Sequence, residues 1–161
     1  MKRTNRQKKI TILKELRETY KLPVIECSRY GTKKGFTRTD LLKGMLWTVF
    51  SKWIRRRDTK NGKGACISCG ALKTYEELQA GHFAPAGGNS VALLFMEENV
   101  NGECEKCNGF DPFHLVRMKE NLIKKYGKKK VEEIERLEHS HISEKWSEQN
   151  FVDKIKYYAE Q

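Results

Sequence analysis

The chain has 161 residues, about the length of a single domain. Hydrophobic residues make up 38% and charged residues 33%, and the mean hydropathy is −0.74, so the chain is polar but retains enough apolar residues for a core. The longest apolar run, residues 91–96, is far shorter than the ~20 residues that cross a membrane. No apolar segment follows the basic start, as it would in a secretory signal. We therefore expect a soluble, cytoplasmic protein with no membrane partner.

Positive charge is concentrated in the first part of the chain. Of the net charge of +11, residues 1–60 contribute +13 and residues 61–161 contribute −2. A Lys or Arg that neutralises a phosphate releases bound counterions, so a polyanion is the natural partner of such a segment. This charge favours nucleic-acid binding, and the alternative is a basic surface that only keeps the protein soluble.

Four of the five cysteines form two C-x-x-C pairs with 34 residues between them. In a reducing compartment such pairs favour tetrahedral zinc over disulfides, because two intervening residues let both thiolates reach one metal ion. Four thiolates leave no open coordination position, so the spacing predicts a structural zinc site. Its ligands are Cys66, Cys69, Cys104 and Cys107, and we expect the remaining cysteine, Cys27, to be a small buried or half-buried residue.

Two helices are predicted before the first cysteine pair. Residues 8–21 carry apolar side chains at helical spacing and end before Pro23, and residues 40–57 carry an unbroken apolar stripe. The loop over residues 26–38 interleaves basic and aromatic side chains, which suits either nucleic-acid binding or a solvated loop. The arginines that end the second helix suit either phosphates or the helix C-terminus. The candidate DNA-binding residues are Lys33, Lys34, Arg38, Lys52, Arg55, Arg56 and Arg57.

Between the cysteine pairs the pattern changes to that of strands. Residues 77–84 and 91–96 read as two short strands joined by a run of turn-forming residues. After the second pair, helical spacing returns in three segments, one ended by Gly127, one over residues 131–137, and one beginning at Ser143. We predict an α+β fold with a small zinc-held centre and helices on both sides.

Further residues between and after the cysteines resemble the HNH, or His-Me finger, nucleases. The order is a Cys pair, His82 at a strand end, Asn99 five residues before the third cysteine, and Asn108 directly after the fourth. A closer resemblance is to the phage NinG, or Rap, recombination endonuclease family. It is carried by residues 50–58, by Gln79-Ala80-Gly81-His82-Phe83, by residues 98–102 and by segments near the C-terminus, and it covers roughly residues 40–160.

The resemblance implies a zinc-braced ββα-metal centre over residues 39–161, after a basic N-terminal helix and loop over residues 1–38. It implies a divalent-metal-dependent DNA endonuclease that hydrolyses branched recombination intermediates such as Holliday junctions and D-loops. A neutral imidazole suits deprotonation of the attacking water, and His82 is the candidate base, with a packed histidine as the alternative. Asn99 would support the loop that presents His82, or would be a simple turn residue.

The resemblance places Mg²⁺ or Mn²⁺ on Asn108, with His114 and Asp111 as further candidate ligands. Asp111 could instead cap the following helix. Many HNH enzymes have a metal-binding Asp or His directly before the base, where this chain has Gly81.

Two alternatives differ from this reading. One is an HNH nuclease that nicks or cuts ordinary duplex DNA, and the other is a non-catalytic zinc adaptor that binds DNA. Because matched cuts in two strands of a junction require two active sites, we also expect a homodimer. The apolar faces of the long helix and the C-terminal helices favour it. We expect no organic cofactor.

Overall fold

A computed structural model of the chain describes residues 4–27, 35–85, 91–140 and 145–161. The chain divides into two compact units, one formed by residues 1–50 and 146–161 and the other by residues 51–145. The predicted boundary after residue 38 falls inside the first unit and stays a prediction. Within the described ranges, no helix is long and apolar enough to cross a membrane.

The first unit is helical. Helix α1 (Asn5–Tyr20) begins at a capping box in which Thr4 and Gln7 bond each other's backbone, and it ends at Lys21 in the left-handed conformation. Helix α2 (Arg38–Arg57) begins in this unit, and its last turns belong to the second. Helix α7 (Glu148–Glu160) is capped by Ser147. The predicted start of this last helix, Ser143, lies outside the described residues, and residues 145–147 are not helical.

The apolar stripe of α2 is buried within this unit. Tyr158 of α7 packs edge-on against Phe50, with ring centroids 5.0 Å apart. The residues of α2 in this unit that are fully buried are Leu41, Leu42, Met45, Leu46 and Phe50. The predicted homodimer depended partly on this face being uncovered. These side chains are covered within one chain, and the homodimer itself stays a prediction.

The second unit contains two small antiparallel sheets. Strands β1 (Lys63–Ala65) and β2 (Leu72–Thr74) form one, and β3 (Leu78–His82) and β4 (Val100–Cys104) form the other. In the second sheet His82 lies opposite Val100, and Gln79 lies opposite Glu103. Helix α4 (Glu105–Phe110) follows β4 directly. The mixed α+β composition that the sequence predicts is therefore confirmed.

Three further helices complete this unit, α3 (Val91–Leu94), α5 (His114–Tyr126) and α6 (Lys128–His139). The last two match the helical spacing seen in the sequence, and Gly127 ends α5 as predicted. Helices α3, α5 and α6 and the loop after β3 pack around one hydrophobic core. This core is formed by Phe83, Ala84, Leu93, Met118, Leu122, Val131 and Ile134.

One predicted strand is wrong. Residues 91–96 contain the single helical turn of α3, and the strand that pairs with β3 is β4. A short apolar run has no alternation that separates a strand from a buried helical turn. Leu93 and Leu94 are buried by helical packing instead. The strand over residues 78–82 agrees with the one predicted over residues 77–84.

Candidate metal centre and adjoining polar cavity

The four paired cysteines meet at one point of the second unit. Cys66 and Cys69 come from the turn between β1 and β2, Cys104 ends β4, and Cys107 lies in α4. Their sulfur atoms all lie within 4.8 Å of one another. The Sγ atoms of Cys69 and Cys104 are 3.9 Å apart, close to the ~3.8 Å between sulfurs that surround zinc at about 2.3 Å. The cysteines are free thiols, and together they could hold a metal ion such as zinc.

The turn that carries the first pair depends on a glycine. Gly70 has a φ of +74°, a conformation that favours glycine. Its N–H donates to the Cys66 carbonyl at 2.8 Å, and the Cys66 N–H donates to the Ala71 carbonyl at 2.9 Å. These bonds fold the chain back so that both thiols point to the same side. Burial raises the pKa of the Cys66 and Cys107 thiols, so a bound cation would have to displace their protons.

A cavity of about 490 Å³, lined by both polar and apolar side chains, lies in the same unit. Three residues selected from the sequence line it, His82 at the end of β3, Asn108 in α4 and His114 at the start of α5. Its apolar wall is formed by Phe83, Pro85, Leu94 and Leu115. The structure therefore brings together residues up to 32 positions apart in the sequence.

His82 is held in one orientation. Its Nε2 lies 3.1 Å from the Leu94 carbonyl oxygen, which accepts a hydrogen bond from the Nε2–H tautomer. In that tautomer Nδ1 is the basic nitrogen. Burial lowers the pKa of His82 below its usual 6.5, although the bond to Leu94 acts in the opposite direction. The imidazole is therefore neutral at cellular pH.

Asn99 supports the loop that follows His82. The side chain is fully buried. Its Oδ1 accepts from the Ala84 N–H at 2.8 Å, and its Nδ2 donates to the carbonyls of Ala84, at 3.0 Å, and Leu93, at 2.9 Å. These three bonds join the segment after β3 to the segment that carries α3, the source of the Leu94 carbonyl.

The side chain of Asn108, in α4, is oriented by Gln79 of β3. Its Nδ2 donates to Gln79 Oε1 at 2.7 Å. Because the amide nitrogen is bonded in this way, the amide oxygen Oδ1 faces Gly81. A Cβ atom added at Gly81 would lie 3.0 Å from this oxygen. Gln79 and Gly81 belong to the same short motif that contains His82.

Glu103 is a residue of this region that the sequence analysis missed. It is fully buried, and its Oε1 accepts from Ser68 Oγ and lies 2.7 Å from His114 Nδ1. Among the described residues, its Oε2 has no hydrogen-bond partner. In the sequence nothing separates it from the exposed Glu105 two residues later. Only the register of β3 and β4, which sets it opposite Gln79, reveals its place.

Asp111 lies in the turn between α4 and α5, in a pocket that Asn108 and His114 also line. Its Oδ1 accepts from the Phe113 N–H at 2.9 Å, just before α5, and its Oδ2 pairs with Arg117. These partners lower the pKa of the Asp111 carboxyl, the Phe113 N–H most strongly. The side chain does not cap α5, and Asp111 as a cation ligand stays a prediction.

Two of the predicted DNA-binding arginines form salt bridges within the chain. Arg57 forms a salt bridge with Asp58 at 2.8 Å and donates to the Glu97 carbonyl at 2.7 Å and the Val100 carbonyl at 2.9 Å. In the first unit, Arg38 binds both carboxylate oxygens of Glu148, at 2.9 and 3.2 Å. These bonds give both arginines structural roles, and their predicted contacts with phosphates stay predictions.

The other basic candidates differ in exposure. Lys52 and Arg56 are exposed on α2. Arg55 is half-buried, and its guanidinium lies 4.4 Å from the centre of the Tyr75 ring. Lys33 and Lys34 lie outside the described residues.

The fold and the site define an α+β protein with a four-cysteine cluster of metal-binding type and an adjoining cavity lined by histidine and asparagine. A family model described as Bacteriophage Lambda NinG protein matches residues 33–161. The chain therefore belongs to the NinG family.

Individual relatives match over a shorter range. "Protein ninG" of Escherichia phage lambda is 35% identical over 89 residues, which cover 55% of this chain and 41% of that protein. "Protein ninG" of Escherichia phage 933W is also 35% identical over 89 residues, which cover 42% of its length. The chain thus spans less than half the length of these relatives. No solved structure matches it.

Proposed function

We propose that this chain is a divalent-metal-dependent DNA endonuclease of the HNH, or His-Me finger, type that cuts branched recombination intermediates. The observation that carries the proposal is the convergence of His82, Asn108 and His114 on one cavity. His82 ends β3, Asn108 lies in α4, which follows β4 directly, and His114 begins α5. Two paired strands followed by a helix are the order expected of a ββα-metal centre. Membership of the NinG family agrees with this function but does not specify it.

The four-cysteine cluster would bind zinc and act as a brace. It joins the β1–β2 turn to the end of β4 and to α4, the helix that carries Asn108. Because all four positions around the ion would be taken by thiolates, this zinc would have no open position for substrate.

His82 is the proposed general base. The Leu94 carbonyl, 3.1 Å from Nε2, selects the tautomer in which Nδ1 can accept a proton from water. Burial keeps the ring neutral, which is the form a base requires. Asn99 acts as a positioning residue, because it fixes the backbone on both sides of the Leu94 contact.

A cation such as Mg²⁺ or Mn²⁺, when bound, would stabilise the charge that develops on the phosphate. Asn108 and His114 are the residues on the cavity wall proposed to hold it. Since His114 Nδ1 is engaged by Glu103 at 2.7 Å, its Nε2 is the nitrogen suited to a cation. Hard divalent cations prefer oxygen donors, so this set needs at least one more oxygen ligand.

Exposed aromatic rings beside the cavity favour branched DNA over uninterrupted duplex. Phe110 and Phe113 flank the turn between α4 and α5, and 77% and 69% of their surfaces are exposed. Unpaired or unstacked bases at a branch point can stack on such rings, whereas bases inside a duplex cannot. Lys52 and Arg56 would add phosphate contacts, and Lys33 and Lys34 stay candidates. A homodimer on the junction is proposed only from the need for two matched cuts.

The proposal is tested on a four-way junction beside a linear duplex that contains the sequence of one arm pair. The purified, zinc-loaded chain should bind the junction and cut it with Mg²⁺ or Mn²⁺, and EDTA should stop the cutting. Equal cutting of both substrates would favour the general HNH alternative. Binding without any cutting would favour the zinc adaptor.

A further inference from the structure

The residue before the proposed base cannot carry a side chain in this fold. A Cβ atom at Gly81 would collide with Glu103 Oε2 and would lie 3.0 Å from Asn108 Oδ1. The glycine is not required by its backbone conformation, since its φ is not in the left-handed region. The space that a side chain at position 81 would take is instead faced by two oxygen atoms from other elements.

One of these oxygens is a buried carboxylate oxygen without a partner. Glu103 is fully buried in β4. Its Oε1 has two partners, Ser68 and His114, but within the described ranges its Oε2 has none. Burying a carboxylate oxygen without a hydrogen bond or a counter-charge is strongly unfavourable. A cation bound at this atom would therefore be stabilised by the carboxylate.

The second oxygen, Asn108 Oδ1, faces the same space beside Gly81. The bond from Asn108 Nδ2 to Gln79 Oε1, at 2.7 Å, directs the amide so that Oδ1 faces the space above Gly81. The carboxylate and the amide oxygen therefore converge, and His114 joins them through its bond to Glu103. Carboxylate and amide oxygens are the ligand types that Mg²⁺ and Mn²⁺ prefer.

We propose that Glu103 supplies the carboxylate ligand of the divalent cation, from the strand opposite the base, with Asn108 Oδ1 as its companion. Glu103 then replaces His114 as a ligand, because His114 Nδ1 is bonded to Glu103 at 2.7 Å and its Nε2 lies at the far end of the ring. His114 orients the carboxylate instead. Many HNH enzymes place this carboxylate on the residue before the base. Here the glycine at that position makes room for a carboxylate that arrives from β4. The inference deepens the proposed function and rests on it for the role of the cation, but cation binding can be measured without DNA.

The test compares Glu103→Gln with wild type in zinc-loaded, DNA-free protein. The amide keeps the shape of the side chain but removes its charge, so Mn²⁺ affinity should fall about tenfold or more, as followed by the electron paramagnetic resonance signal of free Mn²⁺. Glu105→Gln removes the charge of an exposed neighbour and should leave Mn²⁺ affinity unchanged. Zinc content and circular dichroism should match wild type in both variants.

Each outcome decides between the inference and the proposed function. Wild-type affinity in Glu103→Gln, or no Mn²⁺ binding by wild type at millimolar concentration, would overturn the inference. If wild type still cuts junctions in either case, the proposed function stands alone. If Mn²⁺ binding depends on Glu103 but wild type cuts no DNA, the inference stands and the nuclease proposal fails.

A second measurement covers the possibility that Glu103→Gln does not fold. In wild-type protein labelled with ¹³C glutamate, the side-chain carboxyl resonance of Glu103 is followed during a Mg²⁺ titration. A saturable shift of this resonance supports the proposal. A resonance that does not move while Mg²⁺ binds elsewhere in the protein overturns it.

Discussion

At the scale of single residues, the proposed chemistry depends on the protonation state of His82. Only the neutral imidazole can accept a proton, and burial lowers the pKa of this side chain below its usual 6.5. The cleavage rate should therefore rise with pH through a pKa below 6.5 and be level from about pH 7 upward. Single-turnover cutting of a junction between pH 5 and 8 measures this. A rate that still increases tenfold per pH unit between pH 7 and 8 would exclude His82 as the group that controls the reaction.

Neighbouring arginines on α2 should behave differently when they are replaced. Arg57→Ala removes one of the partners of the mostly buried Asp58 and two bonds to backbone carbonyls, so the free energy of unfolding should fall by about 1–3 kcal/mol. Arg56 is exposed, and Arg56→Ala should change stability by less than about 0.5 kcal/mol but weaken DNA binding. Urea unfolding and junction-binding titrations measure the two effects. Equal stability losses would contradict the structural role assigned to Arg57.

The residues of the site differ in how far the sequence could reveal them. The cysteines are set by local spacing, and His82, Asn99 and Asn108 by their order in a motif, so they can be selected without a structure. The role of Glu103 depends on which residue of β3 it faces. That information comes from strand register, which no local pattern in this segment encodes. The engagement of Arg38 and Arg57 likewise depends on partners as far as 110 and 44 positions away.

At the scale of secondary-structure elements, the four-cysteine cluster joins the β1–β2 turn to the end of β4 and to α4. The strands β1 and β2 have three residues each, and sheets of that size are marginal without further support. Cys66→Ser should therefore release the metal and unfold the second unit, because the binding free energy of such a site is part of its folding free energy.

A matched control for that variant is present in the chain. Cys27 lies outside the cluster and in the first unit, so Cys27→Ser should retain one zinc per chain. Elemental analysis and thermal unfolding distinguish the two variants. A wild-type protein that is fully folded but contains no zinc would contradict the structural role of the cluster.

The elements also show where prediction from sequence succeeds. The amphipathic helices α2, α5 and α6 follow the apolar spacing closely, because a repeating pattern over 12 to 20 residues leaves little ambiguity. Strand β4 has the sequence VNGEC, in which a polar and a charged residue are buried by their neighbours in the fold. Its strand character comes from pairing with β3 and from the cysteine cluster, so a search for apolar runs selected residues 91–96 instead.

At the scale of the whole molecule, the excess positive charge favours a nucleic-acid partner. The cavity lined by His82, Asn108 and His114 is the proposed site of hydrolysis. Charge alone does not distinguish a nuclease from an adaptor, since both must bind DNA. The distinction lies in whether His82 takes part in a reaction. His139 offers a matched control, because it is an exposed histidine at the end of α6, away from the residues that line the cavity.

The most direct measurement is cleavage of a four-way junction by His82→Ala beside His139→Ala and wild type, with Mg²⁺ and with Mn²⁺. His82→Ala should retain zinc and bind the junction with wild-type affinity, yet cut it ~10²–10⁴-fold more slowly, the usual effect of losing a general base. His139→Ala should bind and cut like wild type. If His82→Ala cuts as fast as wild type, His82 is not the base, and the account of this site is wrong.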